Sequence, residues 1–170
     1  MSHIQGRWKD LIIPVTSMKA GVTVPAFQDL VAEVKQYAFA TSDELFGSVE
    51  IQHDYMEGTD LYPHLHWAPS NTDTGNTVFQ FQFSRASIGS VFPGATILQA
   101  NQAGSGVLNQ HQLLEFPAIP GTGIKMGDVL AFRLVRKAFG DTFTGLAYMI
   151  SVGIHYQIDI TGSNQRLSKN

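Results

Sequence analysis

The chain has 170 residues, a net charge of −3, no cysteine and a charged fraction of 15%. The absence of cysteine excludes disulfide scaffolds and thiolate zinc sites, and the acidic balance leaves no basic field for phosphates, so no nucleic-acid partner is expected. No apolar run reaches the roughly 20 residues that cross a bilayer as a helix, so no membrane partner is expected; hydrophobic residues at 44% are enough to build one core over 1–170.

The first residues, Met1 to Asp10, hold no apolar signal core, which points to synthesis in the cytoplasm. Segments 1–20 and 161–170 are expected to be extended arms. After Pro25, the residues Phe27, Leu30, Val31 and Val34 follow i, i+3, i+4, i+7 spacing, which predicts a short amphipathic helix over 26–34. From there period-2 alternation takes over. Val49, Ile51, His53 and Tyr55 alternate with Glu50 and Gln52; Phe79, Phe81 and Phe83 alternate with Gln80 and Gln82; Leu130, Phe132 and Leu134 flank Arg133. Tyr148, Ile150, Val152, Ile154, Tyr156, Ile158 and Ile160 form one long apolar row. These patterns predict about eight strands, near 34–40, 45–55, 61–68, 77–86, 95–100, 108–116, 128–136 and 143–160. Asn71 to Asn76 is expected to close a hairpin. The fold class that follows is all-β: an antiparallel β-sandwich of jelly-roll type with one short helix near 26–34.

Gly58, five residues and then His64-Leu65-His66 match the opening of the cupin metal motif, and two histidines at i and i+2 lie on one side of a strand. The glutamate expected three or four residues later is replaced by Ser70 and Asn71. A metal site with an open position needs about three protein ligands, so the expectation is no cofactor and no metal. His64, His66 and His155 are the alternative ligand set. His155 shares a strand face with Ser151, Gly153 and Gln157. The small residues of that face permit close approach by another chain, so these four are the candidate oligomer interface. Tyr62, His64, His66 and Trp67 form a structural motif. No nucleophile elbow or phosphate loop is present. Glu50, Asp54, Glu57 and Asp60 gather near the histidines in sequence; a carboxylate pair for glycoside hydrolysis is one reading of them, weighed against the commoner case of solvated loop acids. Trp8, Tyr62, Trp67, Phe92 and Phe139 are candidates for a sugar-binding platform, an arrangement to be weighed against burial in the core.

Two stretches, Glu57-Gly58-Thr59-Asp60-Leu61-Tyr62-Pro63-His64-Leu65-His66-Trp67-Ala68-Pro69 and His155-Tyr156-Gln157-Ile158-Asp159-Ile160-Thr161-Gly162-Ser163, together resemble a group of small proteins encoded in tailed bacteriophages and prophages. Trp8-Lys9-Asp10-Leu11 and Tyr37-Ala38-Phe39 fit the same pattern. The resemblance implies a non-enzymatic virion structural protein of jelly-roll type, a head decoration or cement protein. It also implies a homo-oligomer, with a trimer favoured, bound to the major capsid protein or other virion proteins. Its location would be the virion, after synthesis in the host bacterial cytoplasm. The alternatives are a cupin-like metal-binding protein using His64 and His66, and a carbohydrate-binding module of a tail or baseplate.

Overall fold

The computed structural model describes residues 7–159, 162, 165 and 166. Its strands are β1 (Arg7–Pro14), β2 (Lys19–Ala20), β3 (Ala26–Val31), β4 (Val34–Phe39), β5 (Glu44–Glu50), β6 (Tyr62–Pro69), β7 (Asn76–Ala86), β8 (Thr96–Ala103), β9 (Gln112–Glu115), β10 (Val129–Arg136) and β11 (Ala147–Ile158). The helical content among the described residues is one 3₁₀ turn, Val15–Ser17. All pairings are antiparallel and form two sheets. Sheet A runs β3-β4-β11-β6-β9, and sheet B runs β2-β5-β10-β7-β8. One edge of β11 is filled by β6; along the other edge β4 takes Ala147 to Met149 and β1 takes Ser151 to Ile158.

The expected helix over 26–34 is instead a hairpin of β3 and β4, turning at Ala32 and Glu33 with Ala32 at φ 49°. Local helical spacing loses here because β4 pairs with β11, which commits the segment to the sheet. A bulge between Asp29 and Val31 reconciles the apolar spacing with a strand: Leu30 packs on a small cluster with Ala38, Ala68 and Tyr148, while Phe27, Val31 and Val34 remain exposed. The expected arm over 1–20 is corrected from residue 7 onward, where β1 lies in sheet A, Val15 is buried and β2 joins sheet B. Residues 1–6 and most of 161–170 lie outside the described residues. The turn over 71–76 does not close a hairpin: β6 and β7 belong to opposite sheets, so this segment crosses the sandwich.

The inner faces meet in a single core that includes Phe39, Leu65, Trp67, Phe79, Phe81, Leu130, Leu134, Val152 and Ile154. Phe81 stacks on Phe132 at 4.9 Å between centroids. Trp67 has no exposed surface, and its indole N–H donates to Gln102 Oε1 at 2.7 Å, so its polar atom is satisfied where the two sheets meet. Arg136, also buried, is neutralised by Asp141 and donates to the carbonyls of Phe39, Phe143 and Gly145. The long apolar row of β11 does not lie on one face. A register shift between Met149 and Ser151 reverses the alternation, so Ala147 and Met149 enter the core from one side of the shift and Val152, Ile154 and Tyr156 from the other. Ile150 is left partly buried on the small outer cluster.

Candidate functional site

Beyond that shift, the outer face of sheet A can be read row by row from the pairing. Ser151 lies beside His66, and His66 beside Leu113; Ile12 lies beside Gly153, Gly153 beside His64 and His64 beside Glu115; Asp10 lies beside His155 and His155 beside Tyr62; Trp8 lies beside Gln157. Four strands, β1, β11, β6 and β9, thus bring residues from 8 to 157 onto one surface. The preceding loop fixes where β6 begins. Gly58 turns at φ +86°, Asp60 Oδ1 accepts the Gly121 N–H at 2.8 Å, Glu57 Oε1 accepts the Met126 N–H at 3.1 Å, and the Tyr55 hydroxyl donates to the Thr59 carbonyl. Glu57 and Asp60 therefore anchor backbone. Asp54 is equally committed, bound by the Lys9 ammonium and accepting from the Tyr156 hydroxyl at 2.9 Å.

Gly153 decides the packing of the face. A Cβ there would collide with His64 Nε2 and meet Asp10 Oδ1 at 3.0 Å. The absence of a side chain lets the His64 ring fold across β11, where it is only 1% exposed. The close approach that Gly153 permits is made by the His64 ring of the same chain. His155 stacks on His64 with ring centroids 4.1 Å apart, and His66 meets His64 edge-on at 5.1 Å. His64 Nδ1 lies 3.3 Å from the Tyr62 carbonyl. Its Nε2 lies 3.4 Å from Asp10 Oδ2, and His155 Nε2 lies 3.8 Å from the same oxygen. Two buried side-chain atoms here, His64 Nε2 and Asp10 Oδ1, lack a hydrogen-bond partner. Burial lowers the His64 pKa, and the Asp10 carboxylate only partly opposes it. Burial and the neighbouring His64 and His111 lower the His66 pKa as well.

The alternative ligand set is thus divided. His64 and His155 come together, with Asp10 as the third member; the ligand atoms of these three lie within 4.8 Å of one another. His66 turns away to His111, with Nδ1 and Nε2 2.7 Å apart. Sequence reasoning missed Asp10 and His111. Neither carried a sequence signal: the apolar run Leu11-Ile12-Ile13 hides the alternation that would place Asp10 on a strand face, and nothing around His111 marks it.

Beside the histidines, Trp8 and Tyr62 meet edge to face at 5.4 Å and remain 53% and 38% exposed. With His155 and Glu115 they line an open cleft of about 290 Å³. Of the other platform candidates, Trp67 is core, while Phe92 and Phe139 are exposed in connections outside this cleft. A larger cleft of about 450 Å³ lies on sheet B, around Phe46, Gln82 and Arg133. Its cation is already engaged, since Arg133 Nε donates to Glu44 Oε2 at 2.6 Å. The sheet A cleft is the better candidate because two exposed aromatic rings meet there and two polar atoms beside it, His64 Nε2 and Asp10 Oδ1, lack a hydrogen-bond partner.

No protein-family model and no curated protein matches the sequence. Solved structures do match. The CBM36-1 domain of a multidomain xylanase from the hindgut metagenome of Trinervitermes trinervoides superposes with a TM-score of 0.53 at 14% identity, over 86% of this chain and 96% of that one. The CBM35 from Cellvibrio japonicus Abf62 gives 0.51 at 7% identity, over 89% and 99%. CsCBM6-3 from Clostridium stercorarium, solved in complex with cellobiose, gives 0.50 at 9% identity, over 88% and 94%. The shared fold is a jelly-roll β-sandwich. At these identities the likeness establishes the fold alone.

Proposed function

We propose that this chain is a non-catalytic carbohydrate-binding module whose binding surface is the outer face of sheet A. The observation that carries the reading is the half-exposed Trp8–Tyr62 pair at the mouth of a cleft that also presents Glu115 and His155. A sugar ring offers apolar C–H faces and a rim of hydroxyls. Trp8 and Tyr62 supply flat apolar surface for the former; Glu115 and His155 supply an acceptor and an imidazole for the latter. Solved modules of the same fold, one of them holding cellobiose, support the reading. The acids nearest the motif, Asp54, Glu57 and Asp60, are committed to Lys9, Tyr156 and backbone N–H groups, which favours binding over hydrolysis. The test is a glycan array followed by calorimetric titration of the best oligosaccharide. Trp8→Ala and Tyr62→Ala should each abolish most of the affinity while leaving the thermal transition in place.

A second reading concerns where such a module works. Of the two stretches that resemble phage virion proteins, the first contains β6 and the second begins in the last residues of β11, where His155 pairs with Tyr62 at this surface. Separately, the β3–β4 hairpin ends sheet A and exposes Phe27, Val31 and Val34, with Val22 and Val24 exposed just before it. An apolar, unpaired sheet edge favours association with another copy. We propose that the module assembles as a homo-oligomer through this hairpin and is carried on a virion. Sedimentation at micromolar concentration tests the first part: an oligomer that Phe27→Lys dissolves supports it, and a monomer contradicts it.

A further inference from the structure

We propose that Asp10, His64 and His155 form a binding site for one divalent transition-metal ion of the zinc class. The proposal does not depend on carbohydrate binding. It starts from the tautomer of His64. Nδ1 faces the Tyr62 carbonyl, an acceptor only, so that nitrogen carries the proton. Nε2 then presents a lone pair towards Asp10 Oδ2, 3.4 Å away. A lone pair facing a carboxylate in a buried setting repels it unless a cation lies between them. The His64 side chain is 1% exposed, its Nε2 has no hydrogen-bond partner, and neither has Asp10 Oδ1. A histidine that donates one ring N–H to a carbonyl and turns the other nitrogen to a carboxylate has the orientation that metal ligation requires.

The distances agree with this. Zinc bonded to nitrogen and oxygen at about 2.0–2.2 Å in a tetrahedron separates its donors by about 3.3 Å. The two imidazole-to-carboxylate separations are 3.4 and 3.8 Å, and all three ligand atoms lie within 4.8 Å. A rotation of the partly exposed His155 side chain would close the remaining gap. Two imidazoles and one carboxylate suit zinc and its neighbours in the first transition row, and are too rich in nitrogen for calcium or magnesium. Three protein ligands leave one position open, and His155 borders the cleft. Gly153 is required because any side chain there would displace His64.

The test uses tag-free protein stripped with a chelator, titrated with zinc chloride by calorimetry, and checked by elemental analysis after dialysis. The expected result is one zinc per chain and a rise in thermal midpoint on loading, with calcium and magnesium giving neither. Asp10→Asn and His155→Ala, both at partly exposed positions, should each weaken zinc binding by about a hundredfold or more while keeping the apo thermal midpoint. These two variants keep the test decisive if a buried His64→Ala fails to fold. Absence of stoichiometric zinc in the wild type overturns the proposal. So does zinc binding that survives Asp10→Asn and His155→Ala but disappears in His111→Ala, which would place the ion at the His66–His111 pair. Oligosaccharide titration of the chelator-treated protein is read separately, so either proposal can fail alone.

Discussion

On the outer face of sheet B, Arg133 is bound by Glu44 and Gln80 donates to Gln99 at 2.8 Å. On the outer face of sheet A, His64 and Asp10 keep unpartnered buried atoms, and Trp8 and Tyr62 keep exposed rings. Both faces are outward positions of alternating antiparallel strands, and both carry a cleft. The larger cleft belongs to sheet B, so volume does not separate them; the satisfaction of polar groups does. A face whose polar atoms pair with one another is finished within the chain. A face that holds a buried ring nitrogen and a carboxylate oxygen without partners keeps polar capacity for something further.

The largest effects should appear where both faces lose their common support. Phe81→Ala removes a ring stacked on Phe132 in the middle of the core and should cost about 3–5 kcal/mol in chemical denaturation. Arg136→Met leaves the Asp141 carboxylate buried and three carbonyls without their donor, for a loss of about 3–5 kcal/mol. In either variant the two faces should fail together; loss of one alone would break the premise that they share a scaffold.

A middle-sized effect separates the faces. Trp8→Ala should remove about 2 kcal/mol of carbohydrate affinity in calorimetric titration, the range of an aromatic anchor residue. The matched change on sheet B, Phe46→Ala, truncates a similarly exposed ring and should leave that affinity unchanged. Equal losses in both variants would dissolve the distinction.

The smallest effect concerns how β1 is held. Burial of Asp54 raises its pKa, but the Lys9 ammonium and the Tyr156 hydroxyl outweigh it and hold the carboxyl below its ordinary value. A carboxyl depressed on folding contributes stability that is present above its unfolded pKa, near 3.9, and is lost as pH falls through the lower folded value. Lys9→Met removes the main depressing partner, so acid unfolding followed by circular dichroism should begin at a higher pH. The shift should be small because Lys9 is half exposed. An unchanged acid transition would mean that β1 is held without this pair.

Much of this fold was legible because period-2 alternation is a strong signal where one face is buried. β4, β6, β7 and β10 lie within a residue or so of the expected spans, and Phe79, Phe81, Phe83, Leu130, Phe132 and Leu134 are buried as expected. β1 was not legible as a strand, since Leu11, Ile12 and Ile13 are apolar on both sides and hide the alternation. The reversal in β11 was invisible for a different reason: a bulge is set by how Met149 and Ser151 pair with β6, and the local sequence carries no mark of it. Half of the site could be read from His64 and His155. The other half, Asp10 and Glu115, comes from strands whose place beside β11 and β6 only the topology decides.

The most direct test of the central claim is backbone amide chemical-shift mapping of the labelled protein, titrated with the oligosaccharide that binds best on the array. The account predicts perturbations concentrated at Trp8, Tyr62, Glu115 and His155 on sheet A, with Phe46, Gln82 and Arg133 unmoved. Perturbations centred on those sheet B residues, or no oligosaccharide that shifts any resonance, would contradict it.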